Sequence, residues 1–161
     1  MAITYEPIAT TTLSTAGAIT FTSIPSTYTD LILVISGNNI NSTAQLYMRL
    51  NSDGGSNYGT TYMYGNGSSA GSSNQSPYSF AAASRGTMTS EQFTSIVHFM
   101  NYANTSIRKT FLVRTSQSNS ETYASADQWS STSAISSITF SQTLGNMAVG
   151  TTATLYGIKA A

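Results

Sequence analysis

Cysteine is absent from all 161 residues, which excludes disulfide frameworks, thiolate metal sites and cysteine nucleophiles. Charge is scarce too. Only 7% of residues are charged, against roughly a quarter in an average globular chain, and six basic groups balance six acidic ones. Without clustered Lys and Arg, nothing steers the chain to nucleic acid or to an anionic membrane surface. Arg108, Lys109 and Arg114 form one local basic group, expected as a solvated strand edge. No apolar run approaches the roughly 18 residues of a membrane span. Met1–Glu6 lacks the basic and apolar regions of a secretory signal, so synthesis and assembly in a cytoplasm are expected.

Hydroxyl side chains take the place of the missing charges: 27 serines and 25 threonines make about a third of the chain. Thr favours strands, while Ser and Gly favour turns. Nearly every apolar cluster carries a period of two. Ala44, Leu46, Met48 and Leu50 alternate with Gln45, Tyr47 and Arg49, and Phe93, Val97 and Phe99 oppose Ile96, His98 and Met100. Thr29–Ser36 carries a continuous apolar run, the pattern of a central strand covered on both faces. Turn clusters such as Asn51-Ser-Asp-Gly-Gly55, Gly65-Asn-Gly67 and Asn101-Tyr-Ala-Asn104 separate the runs. No segment supports two turns of helix. The length suits one domain, 1–161, an all-β antiparallel sandwich of eight to ten strands, most simply a jelly roll. Residues 64–79 and 115–131, poor in aliphatic side chains, read as long loops.

Little in this pattern points to catalysis. His98 is the only histidine and sits within a strand pattern, where packing explains it better than metal binding or proton transfer. A glycosidase needs two facing carboxylates, and nothing favours a pair such as Glu121 and Asp127. Asn51–Asn57 faintly resembles a calcium loop but has too few acids, so a hairpin turn is expected. No catalytic residue, metal ligand or cofactor is therefore assigned. The aromatics say more. Tyr62, Tyr64 and Tyr78 surround a Gly/Ser/Asn stretch, the composition of recognition loops, and Trp129 beside Asp127 suits stacking on a sugar. The same aromatics equally suit a subunit interface.

Six stretches, in order, resemble a group of small virion-associated proteins of tailed bacteriophages, including marine and cyanobacterial phages and prophages. They are Tyr5–Leu13 (YEPIATTTL), Ile24–Val34 (IPSTYTDLILV), Arg49–Tyr58 (RLNSDGGSNY), Asn101–Thr110 (NYANTSIRKT), Trp129–Phe140 (WSSTSAISSITF) and Ala148–Ala161 (AVGTTATLYGIKAA). The resemblance runs nearly end to end and varies over 64–90. It implies a virion location and brings no catalytic residues. The expected role is a non-enzymatic surface protein, a capsid decoration or cement protein, assembled as a homo-oligomer, a trimer in the first instance, on capsid or other virion proteins. Residues 1–13 would then be a docking arm with Ile3, Tyr5, Ile8 and Leu13 as its apolar contacts. The alternative is a receptor- or glycan-binding module of a tail fibre or tail tip, contacting host-surface glycan through Tyr62, Tyr64, Tyr78 and Trp129.

Overall fold

The computed structural model describes residues 5–38, 44–84, 91–117 and 120–159. Twelve strands are formed: β1 Tyr5–Thr12, β2 Ile19–Phe21, β3 Asp30–Asn38, β4 Leu46–Leu50, β5 Tyr58–Gly65, β6 Ala70–Tyr78, β7 Ala81–Ala82, β8 Gln92–Met100, β9 Lys109–Gln117, β10 Thr122–Trp129, β11 Ile138–Gln142 and β12 Thr152–Ile158. No helix occurs among the described residues. An eight-stranded sheet runs β1-β12-β3-β8-β9-β10-β5-β6, and a four-stranded sheet runs β2-β11-β4-β7. Every neighbouring pair is antiparallel. The chain passes repeatedly from one sheet to the other, the winding of a jelly roll.

Alternation positions the core. Leu31, Leu33 and Ile35 of β3, Phe93, Val97 and Phe99 of β8, and Phe111 and Val113 of β9 point inward. They meet Leu46, Met48 and Leu50 of β4 and Ile138 and Phe140 of β11. Phe93 and Phe140 stack across the sandwich at 6.5 Å. Each such side chain stabilises by about 1.5–3 kcal/mol on burial. The turns follow the residue types: Asn51, Ser52 and Asn101 adopt positive φ, as do Gly67 and Gly145.

Three sequence expectations are corrected. Residues 64–79 form a hairpin: β5 turns at Asn66, whose Oδ1 accepts the Ser68 and Ser69 amides at 3.1 and 2.7 Å, and returns as β6. The pattern was hidden because β6 is an edge strand with no buried side chain and so needs no apolar face. Residues 115–131 likewise hold the end of β9 and all of β10. There the inward set, Tyr123, Ser125, Asp127 and Trp129, is partly polar, which masks the period of two. The strand count exceeds eight to ten because β2 and β7, three and two residues long, are too short to show a period.

The docking arm is also corrected. β1 pairs along β12 from Tyr5↔Ile158 to Thr12↔Thr152, so the segment is the edge strand of its own sheet. Ile8 and Leu13 pack against the chain's own core, and Tyr5 lies edge-on to Tyr156 at 6.5 Å. Ile3 lies outside the described residues. Ladder hydrogen bonds explain the docking, since Thr10–Thr154 and Thr12–Thr152 add hydroxyl pairs at 3.0 and 2.8 Å.

β12 sits between β1 and β3, and Gly157 is its tightest point: a Cβ there would lie 2.3 Å from the Tyr28 ring. That ring is held by a hydrogen bond from its hydroxyl to Glu6 Oε2. Gly157→Ala is expected to destabilise by about 1–3 kcal/mol, lowering the thermal midpoint by roughly 2–12 °C. Tyr28→Ala in the same chain should remove most of the added cost, and a thermal melt of the double variant checks it.

Candidate functional site

The outer face of the large sheet is built by the side chains that alternate with the core. Register places Tyr156, Ile32, His98, Leu112, Ala126 and Thr61 side by side across six strands. The next row is Thr154, Val34, Ile96, Arg114, Ala124 and Met63. An exposed antiparallel face is ordinarily polar. Here Met63 is 65%, Leu112 45% and Ile96 36% exposed, with Ile32, Val34 and Tyr156 half-buried beside them. The continuous run in β3 predicted cover on both faces, yet the described residues bury only its inner one, Leu31, Leu33 and Ile35.

Charge on this face is confined. His98 Nε2 and Asp30 Oδ2 pair at 2.9 Å, and Asp30 Oδ1 accepts the Asn101 amide at 2.8 Å. The directly opposed cross-strand neighbours of His98 are the apolar Ile32 and Leu112. Arg114 lies one row away. Toward β6 the face deepens into a cleft of about 530 Å³, where Asn74, Ser76, Thr110 and Gln128 surround Leu112 and Ala126.

The aromatic candidates are distributed differently from expectation. Trp129 is buried, its ring stacked with Tyr58 at 6.4 Å and its Nε1 donating to Asp53 Oδ2 at 2.7 Å. Tyr62 is buried against Tyr123 at 5.3 Å. Tyr64 and Tyr78 are half-buried, and Tyr78 lies edge-on to Phe80 at 4.4 Å. They line the inner side of the β5–β6 hairpin, because tyrosine at inward positions closes the sandwich where the small sheet ends. Asp127 is inward as well and only 3% exposed. These five residues do not converge on one surface.

Asp127 is nevertheless unusual. Ser125 donates to its Oδ2 at 2.7 Å. Thr60 lies opposite it on β5, and the Thr60 and Tyr123 hydroxyls are buried beside the carboxyl. Desolvation pushes the Asp127 carboxyl up to about 7 and the Tyr123 hydroxyl up to about 12. Six residues along an extended chain span about 20 Å, so Glu121 is too far from Asp127 for the carboxylate spacing of a glycosidase.

The Asp53 loop is a turn, as expected. Its carboxylate accepts from Trp129 Nε1, Asn57 Nδ2 and the Gly55 amide, and the Trp129 bond foremost lowers its pKa. Sequence reasoning missed Lys109. Far from being a solvated edge, it is 1% exposed, with Nζ donating to the carbonyls of Asn104, Ile107 and Thr132. Its place in the alternation of β9, opposite Trp129, was the available signal.

No protein-family model matches the chain, and no curated protein matches its sequence. Among solved structures, it is similar to the PL-14 alginate lyase of the marine Aplysia kurodai at 11% identity, covering 86% of this chain and 72% of that one, with a TM-score of 0.36. It is also similar to the galectin LEC-6 of Caenorhabditis elegans at 8% identity, covering 94% and 96%, with a TM-score of 0.35. At TM-scores this low, neither likeness carries an argument about what this chain binds or does.

Proposed function

We propose that this chain is a non-enzymatic structural protein of a bacteriophage particle surface, working by assembly rather than catalysis. The uncovered apolar outer face of the large sheet carries the reading, since a contiguous exposed apolar patch marks an interaction surface. The ordered stretches that resemble virion-associated phage proteins support the setting. A cysteine-free sandwich with few titratable groups suits a particle assembled in a reducing cytoplasm and exposed to changing salt and pH. Capsid decoration is the primary role, with the chain as a homo-oligomer on capsid proteins.

A tail-fibre or tail-tip module binding host-surface glycan is the second reading, and the cleft beside β6 favours it. Amide and hydroxyl groups of Asn74, Thr110 and Gln128 around an apolar floor suit a neutral saccharide. Imaging of the assembled virion separates the two. Many copies spread over the capsid lattice are expected, whereas a few copies confined to the tail would overturn decoration. For the glycan reading, Asn74→Ala with Gln128→Ala should weaken phage adsorption; unchanged adsorption would remove it.

A further inference from the structure

The outer face offers a more specific inference, which rests on reading it as an assembly surface. Size comes first. Eight strands spaced about 4.8 Å apart, paired over seven or eight residues that each rise about 3.4 Å, present roughly 900–1,000 Å². A stable interface needs about 800 Å² per partner, so the face alone suffices.

The edges of the same sheet are blunted. β1 carries Pro7 and a register shift between Pro7 and Ala9, and β6 carries Pro77 and a shift between Tyr58 and Thr60 on its partner β5. Proline cannot donate to a ladder, and bulges turn an edge away from a newcomer. Lateral strand addition is thus opposed at both ends, while nothing opposes packing on the face.

Charge then selects the partner. The face carries Arg114 and the Asp30–His98 pair, both signs and few of either. A strongly charged partner finds no complement here. A two-fold arrangement sets the face against itself and can bring the Arg114 guanidinium toward the Asp30 carboxylate of the second copy. The apolar rows of Ile32, Val34, Ile96 and Leu112 then meet their own kind, and β3 gains the second covered side that its unbroken apolar run requires.

We infer that the outer face of the large sheet is a self-association surface, covered by the same face of a second copy of this chain. Sedimentation velocity on the full chain at micromolar concentration tests it. A dimer is expected, and Leu112→Glu should weaken it by about 100-fold or more, because both copies bury the new charge. Thr139→Glu, on the outer face of the small sheet, should leave it intact. Thermal melts of both variants check that each folds. The chain has no cysteine, so Thr122→Cys, exposed at the rim of the face, carries a unique spin label, and an intermolecular label–label distance is expected in the dimer. A monomer throughout, a dimer indifferent to Leu112→Glu, or a trimer with the face uncovered would overturn the inference. If Leu112→Glu leaves the solution species unchanged yet abolishes incorporation into virions, self-association fails while the assembly reading survives. A dimer lost with Leu112→Glu, in a protein absent from virions, sinks only the assembly reading.

Discussion

Replacing Trp129 by alanine will destabilise the protein by about 3–5 kcal/mol, the range for emptying a large aromatic site in a core. The indole is 3% exposed, so little of its area is available to any ligand. It fills the space between Tyr58, with which it stacks at 6.4 Å, and the Asp53 turn. Truncation removes that volume and also the Nε1 donor at 2.7 Å from Asp53 Oδ2. Trp129→Phe keeps much of the packing and loses the hydrogen bond to a charged group, which alone costs about 1.5–3 kcal/mol. The two variants therefore divide packing from hydrogen bonding.

The Asp53 bond adds a pH signature. Its folded pKa is depressed, so it contributes stability that is present above its unfolded value of 3.8 and lost as pH falls through the folded one. Trp129→Phe removes the foremost cause of that depression, so the variant should show less of this loss at low pH. Denaturant titration followed by circular dichroism measures all of this. A Trp129→Ala protein with wild-type stability would restore the surface sugar-stacking role.

Asp127→Asn is expected to act in the opposite direction at neutral pH. Burial raises the folded carboxyl to about 7, above its unfolded value of 3.8. A raised acid is bound to its proton in the folded chain where the unfolded chain has already ionised. It therefore costs nothing below about pH 4, costs progressively more up to pH 7, and carries its full penalty above. About 1.4 kcal/mol per unit puts that penalty on the order of 4 kcal/mol. Asparagine cannot ionise, so the variant should gain about 2–4 kcal/mol at pH 8 and little or nothing at pH 4. The difference between variant and wild type isolates this residue from carboxylates such as Glu6 and Asp53, which are shifted downward. Parallel stability profiles from pH 4 to pH 8 would show that Asp127 keeps its charge in the folded protein.

Both predictions concern residues that the sequence marked for recognition. Trp129 and Asp127 lie two apart on one strand and so share a face, which the composition of 115–131 obscured. Ser125 and Asp127 at inward positions look like loop residues until the second sheet is placed beneath them. Lys109 misled for the same reason. An alternating strand can bury a lysine wherever turn carbonyls, here Asn104, Ile107 and Thr132, converge on its end. The Gly/Ser/Asn stretch up to Tyr78 shows no apolar period because β6 is an edge strand without a buried side chain.

By itself the sequence determined the class of the fold, the turn positions and most of the core, because period-two alternation and turn chemistry are local properties of the chain. It also excluded thiol chemistry and made assembly a better expectation than catalysis. Tertiary structure decided which of the two faces of each strand is covered. That depends on where the four-stranded sheet lies, a non-local fact that no single strand encodes. It buried Trp129, Tyr62 and Asp127, paired β1 with β12, and left Ile32, Val34, Ile96 and Leu112 open on the far side. The continuous apolar run in β3 is a local signal of cover on both faces; the position of the second sheet, a non-local fact, decided that Leu31, Leu33 and Ile35 are the buried set.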